Sequence, residues 1–364
     1  MIDHDHLHAF VNLRDISAFI CLLLSVNLSA CHHGDPRGID EQEMILTEDD
    51  FGTTEEVNLN PHLRLNHLQA LGTHNSYHLK PSIMIRPWDY EHLALDLQLD
   101  QQGVRQVELD LHEVEGGGFE VFHLPMIDAE SSCSPLKSCL ELMKQWSDQH
   151  LGHHPVLVLL EIKRTLSSPE EVIAQLEESL NQIWGSERLV TPGLVMGEDP
   201  TLRDALDRQG WPSIDRLRAR FLFVLHSGGE LREALLEGGL RTRLMFPDAF
   251  GDLNADFAAY HSINDPIGSE AEIRAAVEAG HLVRTRADVD SEQTVTLDRS
   301  RGEKALLIGA HWISTDYPIA SGPEGYGFLI PEGTPSRCNP ISAPSECTSQ
   351  MIEDLMPLSH QDSD

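Results

Sequence analysis

Four short segments concentrate chemically useful side chains at the ends of strand-like runs: Gly72-Thr73-His74-Asn75-Ser76-Tyr77, Val107-Glu108-Leu109-Asp110, Val121-Phe122-His123 and Leu160-Glu161-Ile162-Lys163. They supply two imidazoles, three carboxylates, an amide and a lysine. A phosphodiester undergoing cleavage has two needs: protons moved on and off its oxygens, and relief of negative charge at phosphorus. Imidazoles titrating near neutrality meet the first. A hard divalent cation held by oxygen ligands meets the second.

The period of a strand turns Glu108 and Asp110 to one side and Val107 and Leu109 to the other. Two carboxylates so close require a cation between them, or one remains protonated. A solvated edge strand is the plain alternative for this pair. Glu161 ends the apolar run Val156-Leu157-Val158-Leu159-Leu160, where an unpaired carboxylate is costly. Asn75, Glu108, Asp110 and Glu161 together offer four oxygens, leaving room for water and a phosphate oxygen on Ca²⁺; Mg²⁺ suits this set less well. A salt bridge from Glu161 to Lys163 or Arg105 is the structural alternative. His74 and His123 are two of 20 histidines, and either one alone would ordinarily be a surface or core residue. Their company gives them weight.

Those residues need a scaffold. Short apolar runs at His67 to Leu71, Val104 to Leu109, Val156 to Ile162, Arg220 to Leu225, Arg243 to Phe246, Ala258 to Ile263, Leu282 to Thr285 and His311 to Thr315 predict eight strands. A ninth short strand, Phe119 to Phe122, follows the Glu115-Gly116-Gly117-Gly118 turn. Helical patterns over Pro169 to Trp184, Glu230 to Glu237 and Ser269 to Ala279 lie between strands, with Ser168 and Ser269 as N-caps. The alternation predicts an α/β fold, either a barrel or a doubly wound sheet. On a barrel, His74, Asn75, Glu108, Asp110, His123, Glu161 and Lys163 all fall at one end, the C-terminal end of the strands.

The chain has 364 residues, with 59 acidic against 26 basic side chains and a net charge of -33. That excess repels nucleic acid and anionic membrane surfaces, which argues against a nucleic-acid partner. Its plain meaning is solubility, and locally it favours cation capture. Ile16 to Leu28 is an apolar run too short to span a bilayer comfortably, and it ends in Leu28-Ser29-Ala30-Cys31. This resembles a bacterial lipoprotein signal, which implies removal of residues 1–30, acylation of Cys31 and anchoring of an exported protein to the cell envelope. Residues 31–60 are acidic and aperiodic and read as a flexible tether. Residues 61–348 form the folded domain, and 349–364 read as a polar, frayed tail. Beyond the signal, Cys133, Cys139, Cys338 and Cys347 remain. An even count in an exported chain favours disulfides; three connectivities are open, of which the sequence-local pairs are simplest. Zinc is the weaker reading, since neither pair has Cys-x-x-Cys spacing.

The ordered set from His74-Asn75 through Glu108-x-Asp110, His123 and Glu161 resembles the calcium-dependent phosphatidylinositol-specific phospholipase C family. The likeness extends to Val283-Arg284-Thr285-Arg286-Ala287-Asp288 and Ile313-Ser314-Thr315-Asp316-Tyr317-Pro318, as in its secreted bacterial branch. The resemblance implies a distorted TIM-type β/α barrel, a single catalytic domain, and Ca²⁺ on Asn75, Glu108, Asp110 and Glu161. It implies His123 as the acid for the leaving glycerol oxygen and His74 as base or stabiliser, roles that can be exchanged. It also makes Lys163 and Arg286 candidates for phosphate or headgroup charge, and Asp316 and Tyr317 candidates for closing the headgroup pocket. A monomer acting on a phospholipid is expected. Glycerophosphodiester phosphodiesterases share this logic but typically follow the first histidine with Arg-Gly, where this chain has Asn75-Ser76. A catalytically silent headgroup-binding lipoprotein is the alternative from outside the enzymes, and an anchored adhesin or scaffold has no sequence feature of its own.

Overall fold

The computed structural model describes residues 63–82, 86–289 and 292–353. The expected signal, Cys31 and the acidic tether lie outside the described residues. Ten strands form, in chain order β1 (Leu68–Thr73), β2 (Val104–Glu113), β3 (Phe119–Val121), β4 (Val156–Arg164), β5 (Phe221–Leu225), β6 (Met245–Pro247), β7 (Tyr260–Ser262), β8 (Leu282–Arg286), β9 (Trp312–Thr315) and β10 (Arg337–Cys338). Eight of them run parallel in the order β6-β5-β4-β2-β1-β9-β8-β7, while β3 and β10 add antiparallel to β2 and β1. This is a distorted TIM-type α/β barrel. Between β6 and β7 the wall is bridged by the Ala249 N–H donating to the Tyr260 carbonyl at 3.0 Å.

Both faces of a parallel barrel strand are covered, so its sequence is apolar throughout rather than alternating. Val156 to Leu160 in β4 and Phe221 to Leu225 in β5 are fully buried. Each of the eight expected barrel strands forms, with ends displaced by a residue or more. Gly116, Gly117 and Gly118 all take positive φ, between 89° and 95°, which lets the chain reverse tightly from β2 into β3.

The helix Pro169–Ile183 begins with the expected cap: Ser168 accepts from the Glu171 N–H, and Glu171 answers to the Ser168 N–H. Gly229–Leu236 and Glu270–Glu278 match the other two expectations, although the Ser269 side chain makes no capping bond. Unforeseen helices include Leu95–Gln101, Leu136–Gln149, Leu202–Gln209 and Ser300–Leu307. The second of these buries Leu136, Cys139, Leu140 and Met143, an i, i+3, i+4, i+7 stripe. Cys133 pairs with Cys139, and Cys338 with Cys347. These are the sequence-local disulfides.

The expectation of a frayed end from residue 349 requires correction. Ser349–Ile352 is a short helix capped by Thr348, and Glu353 is 1% exposed. Its carboxylate takes both arms of Arg105, at 3.1 and 2.7 Å, and also the His154 N–H. Arg105 is itself fully buried and needs a counterion at this N-terminal end of the barrel, so it is not available to Glu161. Burial opposes ionisation of Glu353, yet the guanidinium holds its carboxyl down at about 2. Glu353→Ala leaves that guanidinium uncompensated and is expected to cost about 3–5 kcal/mol of stability. Urea unfolding of the two proteins checks it.

Candidate active site

The first imidazole is set by the end of β1. Gly72 lets β1 pass close to β2: a Cβ there would run into the Gln106 side chain. The chain then turns through Asn75 at φ 44°, in the left-handed region that asparagine tolerates. The turn is tied to β2 in both directions. The Ser76 N–H donates to the Glu108 carbonyl at 3.0 Å, and the Glu108 N–H donates to Ser76 Oγ at 2.8 Å.

Each candidate imidazole has its own carboxylate. His74 Nδ1 lies 2.8 Å from Asp316 Oδ1, and His123 Nδ1 lies 2.7 Å from Asp128 Oδ2. An ionised carboxylate only accepts, so Nδ1 carries the proton in both rings and Nε2 is left for proton exchange. Asp316 also accepts from Arg286 at 3.1 Å, and its own N–H donates to Asp288. Burial raises the Asp316 carboxyl, but Arg286 and then His74 outweigh it and hold it at about 2. Burial, then the charge of Arg286, keeps His74 below the ordinary imidazole value against the pull of Asp316 and Glu108. Asp128 is shared with His78 Nε2 at 3.0 Å, and His78 stacks on Tyr90 at 4.3 Å between ring centroids. His92 Nε2 donates to the His74 carbonyl, so a chain of contacts through His92, Tyr90, His78 and Asp128 joins the two histidines.

Glu108, Asp110 and Glu161 present oxygens within 4.8 Å of one another. The register explains it, since Asp110 and Glu161 are direct partners across β2 and β4. Two residues apart on one strand, Glu108 and Asp110 have opposite electrostatics. Burial raises Glu108, but Arg284, bonded to its Oε2 at 2.5 Å, brings it down to about 2. Asp110 has no such partner, and neither of its oxygens makes a well-directed hydrogen bond. Lys163 Nζ is 3.3 Å away, and the Tyr77 hydroxyl lies beside it, also without a well-directed bond. Burial, reinforced by Glu161 and Glu108 and opposed by Lys163, pushes Asp110 up to about 8. A buried carboxylate short of partners, beside two more, is a donor set that fits a divalent cation. Asn75 is buried next to His74, and its side chain interacts with the Tyr90 hydroxyl.

With this geometry established, comparison decides the family. The family model "Phosphoinositide phospholipase C, Ca2+-dependent" matches residues 63–120 and 112–340. The chain belongs to that family. Its members are phosphodiester-cleaving enzymes that depend on calcium, which the acidic cluster of this member suits. Among solved structures, a calcium-dependent phosphoinositol-specific phospholipase C from Pseudomonas sp. is 19% identical, with 76% of this chain and 96% of that one aligned and a TM-score of 0.54. A Ca²⁺-dependent phosphatidylinositol-specific phospholipase C from Streptomyces antibioticus is 20% identical, with 70% and 95% aligned and a TM-score of 0.53. At these identities the likeness establishes the barrel. No curated protein sequence matched.

The site of this phospholipase C family member also contains residues that sequence reasoning did not single out. Asp128 and Arg284 anchor His123 and Glu108, and His226 at the end of β5 bonds Asp248 at 2.8 Å. Burial lowers His226, but the bond and charge of Asp248 prevail and raise it. Arg284 had a readable signal, since Arg284 and Arg286 are two apart on β8 and share a face. Asp128 had none, being a loop residue. The four residues expected to meet substrate also have protein partners, Arg286 among them through its 3.1 Å bond to Asp316. Asp316 is engaged by His74 and Arg286. Tyr317 is buried in a cluster with Tyr90 and Tyr326, its hydroxyl donating to the Asp89 carbonyl at 3.4 Å. Lys163 points at Glu161 and Asp110.

Proposed function

We propose that this protein cleaves the glycerol–phosphate bond of phosphatidylinositol through attack of the inositol 2-hydroxyl, giving diacylglycerol and a cyclic inositol phosphate that it partly hydrolyses. The observation that carries this reading is the pairing of two imidazoles, each fixed through Nδ1 by a buried carboxylate, with a three-carboxylate cluster at the same barrel end.

His74 Nε2 takes the proton of the 2-hydroxyl as its oxygen bonds to phosphorus. The bond from phosphorus to the glycerol oxygen breaks, and His123, which enters the step as the imidazolium, gives its Nε2 proton to that oxygen and is left protonated at Nδ1. Asp316 and Asp128 keep each ring in the required tautomer and stabilise the imidazolium form. The lowered affinity of His74 for protons suits the base role at neutral pH. Glu108, Asp110 and Glu161, with Asn75 adjacent, would hold calcium, which would supply charge relief to the phosphate. Arg284 keeps Glu108 ionised and in place. Exposed apolar side chains accompany this face: Met126 and Ile127 in the loop of His123, and Phe250 packed beside His226. They suit a substrate embedded in a lipid surface.

The test is release of water-soluble inositol phosphate from phosphatidylinositol vesicles, with phosphatidylcholine vesicles as control. Equal hydrolysis of both lipids contradicts the headgroup assignment, and no hydrolysis of either favours the silent headgroup-binding reading. The same proposal places the protein outside the cytoplasm, on the cell envelope, supported by its two disulfides. No helix among the described residues is long and apolar enough to cross a membrane. Attachment is assigned to acylated Cys31. Cys31→Ser is expected to move the protein from the membrane to the soluble fraction, and unchanged fractionation refutes the anchor.

A further inference from the structure

The carboxylates of the cluster are served by two different cations of the chain. Arg284 holds Glu108, is 1% exposed and is also engaged by Asn264, so it is fixed. Lys163 holds the other two, with Nζ 2.6 Å from Glu161 Oε1 and 3.3 Å from Asp110 Oδ2. Its side chain is 27% exposed and stands next to the last residue of β4 on a flexible four-carbon stem. A calcium ion on the cluster would draw on the same oxygens that the ammonium contacts, at about 2.3–2.6 Å from each. The two cations would then compete for shared ligand atoms and repel one another.

We propose that Lys163 is a tethered competitor of calcium. Its ammonium pairs with Glu161 and lies against Asp110 when the metal is absent, and it must swing outward for the metal to bind. This keeps the cluster assembled against its own repulsion and weakens calcium binding relative to the bare carboxylates, so the enzyme engages only where calcium is abundant. The inference rests on the reading of Glu108, Asp110 and Glu161 as calcium ligands.

Two measurements on the whole protein test it. Calorimetric titration with CaCl₂ is expected to give Lys163→Met an affinity about 10-fold tighter than the unaltered protein, because ligand charge sets calcium affinity. Acylation of amines in the unaltered protein, read peptide by peptide by mass spectrometry, is expected to show Lys163 reacting several-fold faster once calcium is added. Lys137, on the exposed face of its helix, serves as the reference whose rate calcium leaves unchanged. Calcium binding without faster labelling of Lys163 overturns the displacement even if Lys163→Met binds more tightly, since removing a nearby charge alone would do that. Equal affinity in the two proteins also overturns it, and in both cases the calcium site stands. Absence of calcium binding in either protein removes the calcium reading and this inference with it.

Discussion

His123→Ala and His74→Ala are each expected to lower turnover on phosphatidylinositol by about 10²-fold or more while leaving calcium affinity nearly intact, because a positioned general acid or base contributes about that much. The separation of effects follows from the structure. Both rings are held through Nδ1 by carboxylates outside the acidic cluster, Asp316 for His74 and Asp128 for His123. Asp128→Asn and Asp316→Asn act indirectly, since an amide can present its N–H to Nδ1 and favour the other tautomer. They should lower kcat less than loss of the ring and shift the pH profile, which a purely structural role would not do. Turnover unchanged in His74→Ala or His123→Ala eliminates that ring from the chemistry.

Asp110→Asn should abolish detectable calcium binding and the calcium-dependent activity, and at the same time raise the melting temperature measured in chelator by a few degrees. Burial pushes its carboxyl up to about 8, far above its ordinary 3.8, so ionising it is disfavoured by folding. The associated stability is fully present below the unfolded pKa near 4 and is lost as pH rises from there through about 8. A neutral amide of the same shape escapes that loss. Glu108→Gln should do the opposite in chelator. Arg284 holds Glu108 at about 2, so its contribution is present above the ordinary value of 4.5 and lost only as pH falls toward 2. Removing that charge leaves Arg284 buried without its partner and lowers stability. Opposite signs for two residues on one strand are read by melting both variants at pH 7 in chelator. A destabilised Asp110→Asn would mean that its charge is already compensated by the protein. A stabilised Glu108→Gln would mean that Arg284 does not need it.

The elements that carry the site were largely legible because their signals are local. Val156 to Leu160 announces a strand buried on both faces, and Glu161 at its end announces a carboxylate that needs a partner. Alternation put Glu108 and Asp110 on one side of β2, where the register with β4 then adds Glu161. What was not legible depends on partners far apart in the chain. Arg284 lies 176 residues from Glu108, and Glu353 lies 248 from Arg105. The composition of residues 349–364 is polar, so nothing local shows that Glu353 is drawn under the barrel by a guanidinium that pairs with no other carboxylate among the described residues. Tyr317 was named through the family resemblance, and nothing local showed that its ring would join Tyr90 and Tyr326 in a cluster. Asp128 stands in a loop with no period, and only the fold reveals that it sits between two imidazoles.

The central claim is attack on phosphorus by the substrate's own hydroxyl at a calcium-dependent site. The chain from residue 32 onward, incubated with phosphatidylinositol vesicles with and without Ca²⁺, is followed by ³¹P NMR. The account predicts a cyclic inositol phosphate that appears first, requires calcium and gives way slowly to the acyclic monoester. Acyclic phosphate as the first product, product formation that survives excess chelator, or glycerol phosphate released from a glycerophosphodiester control while phosphatidylinositol remains intact would contradict it.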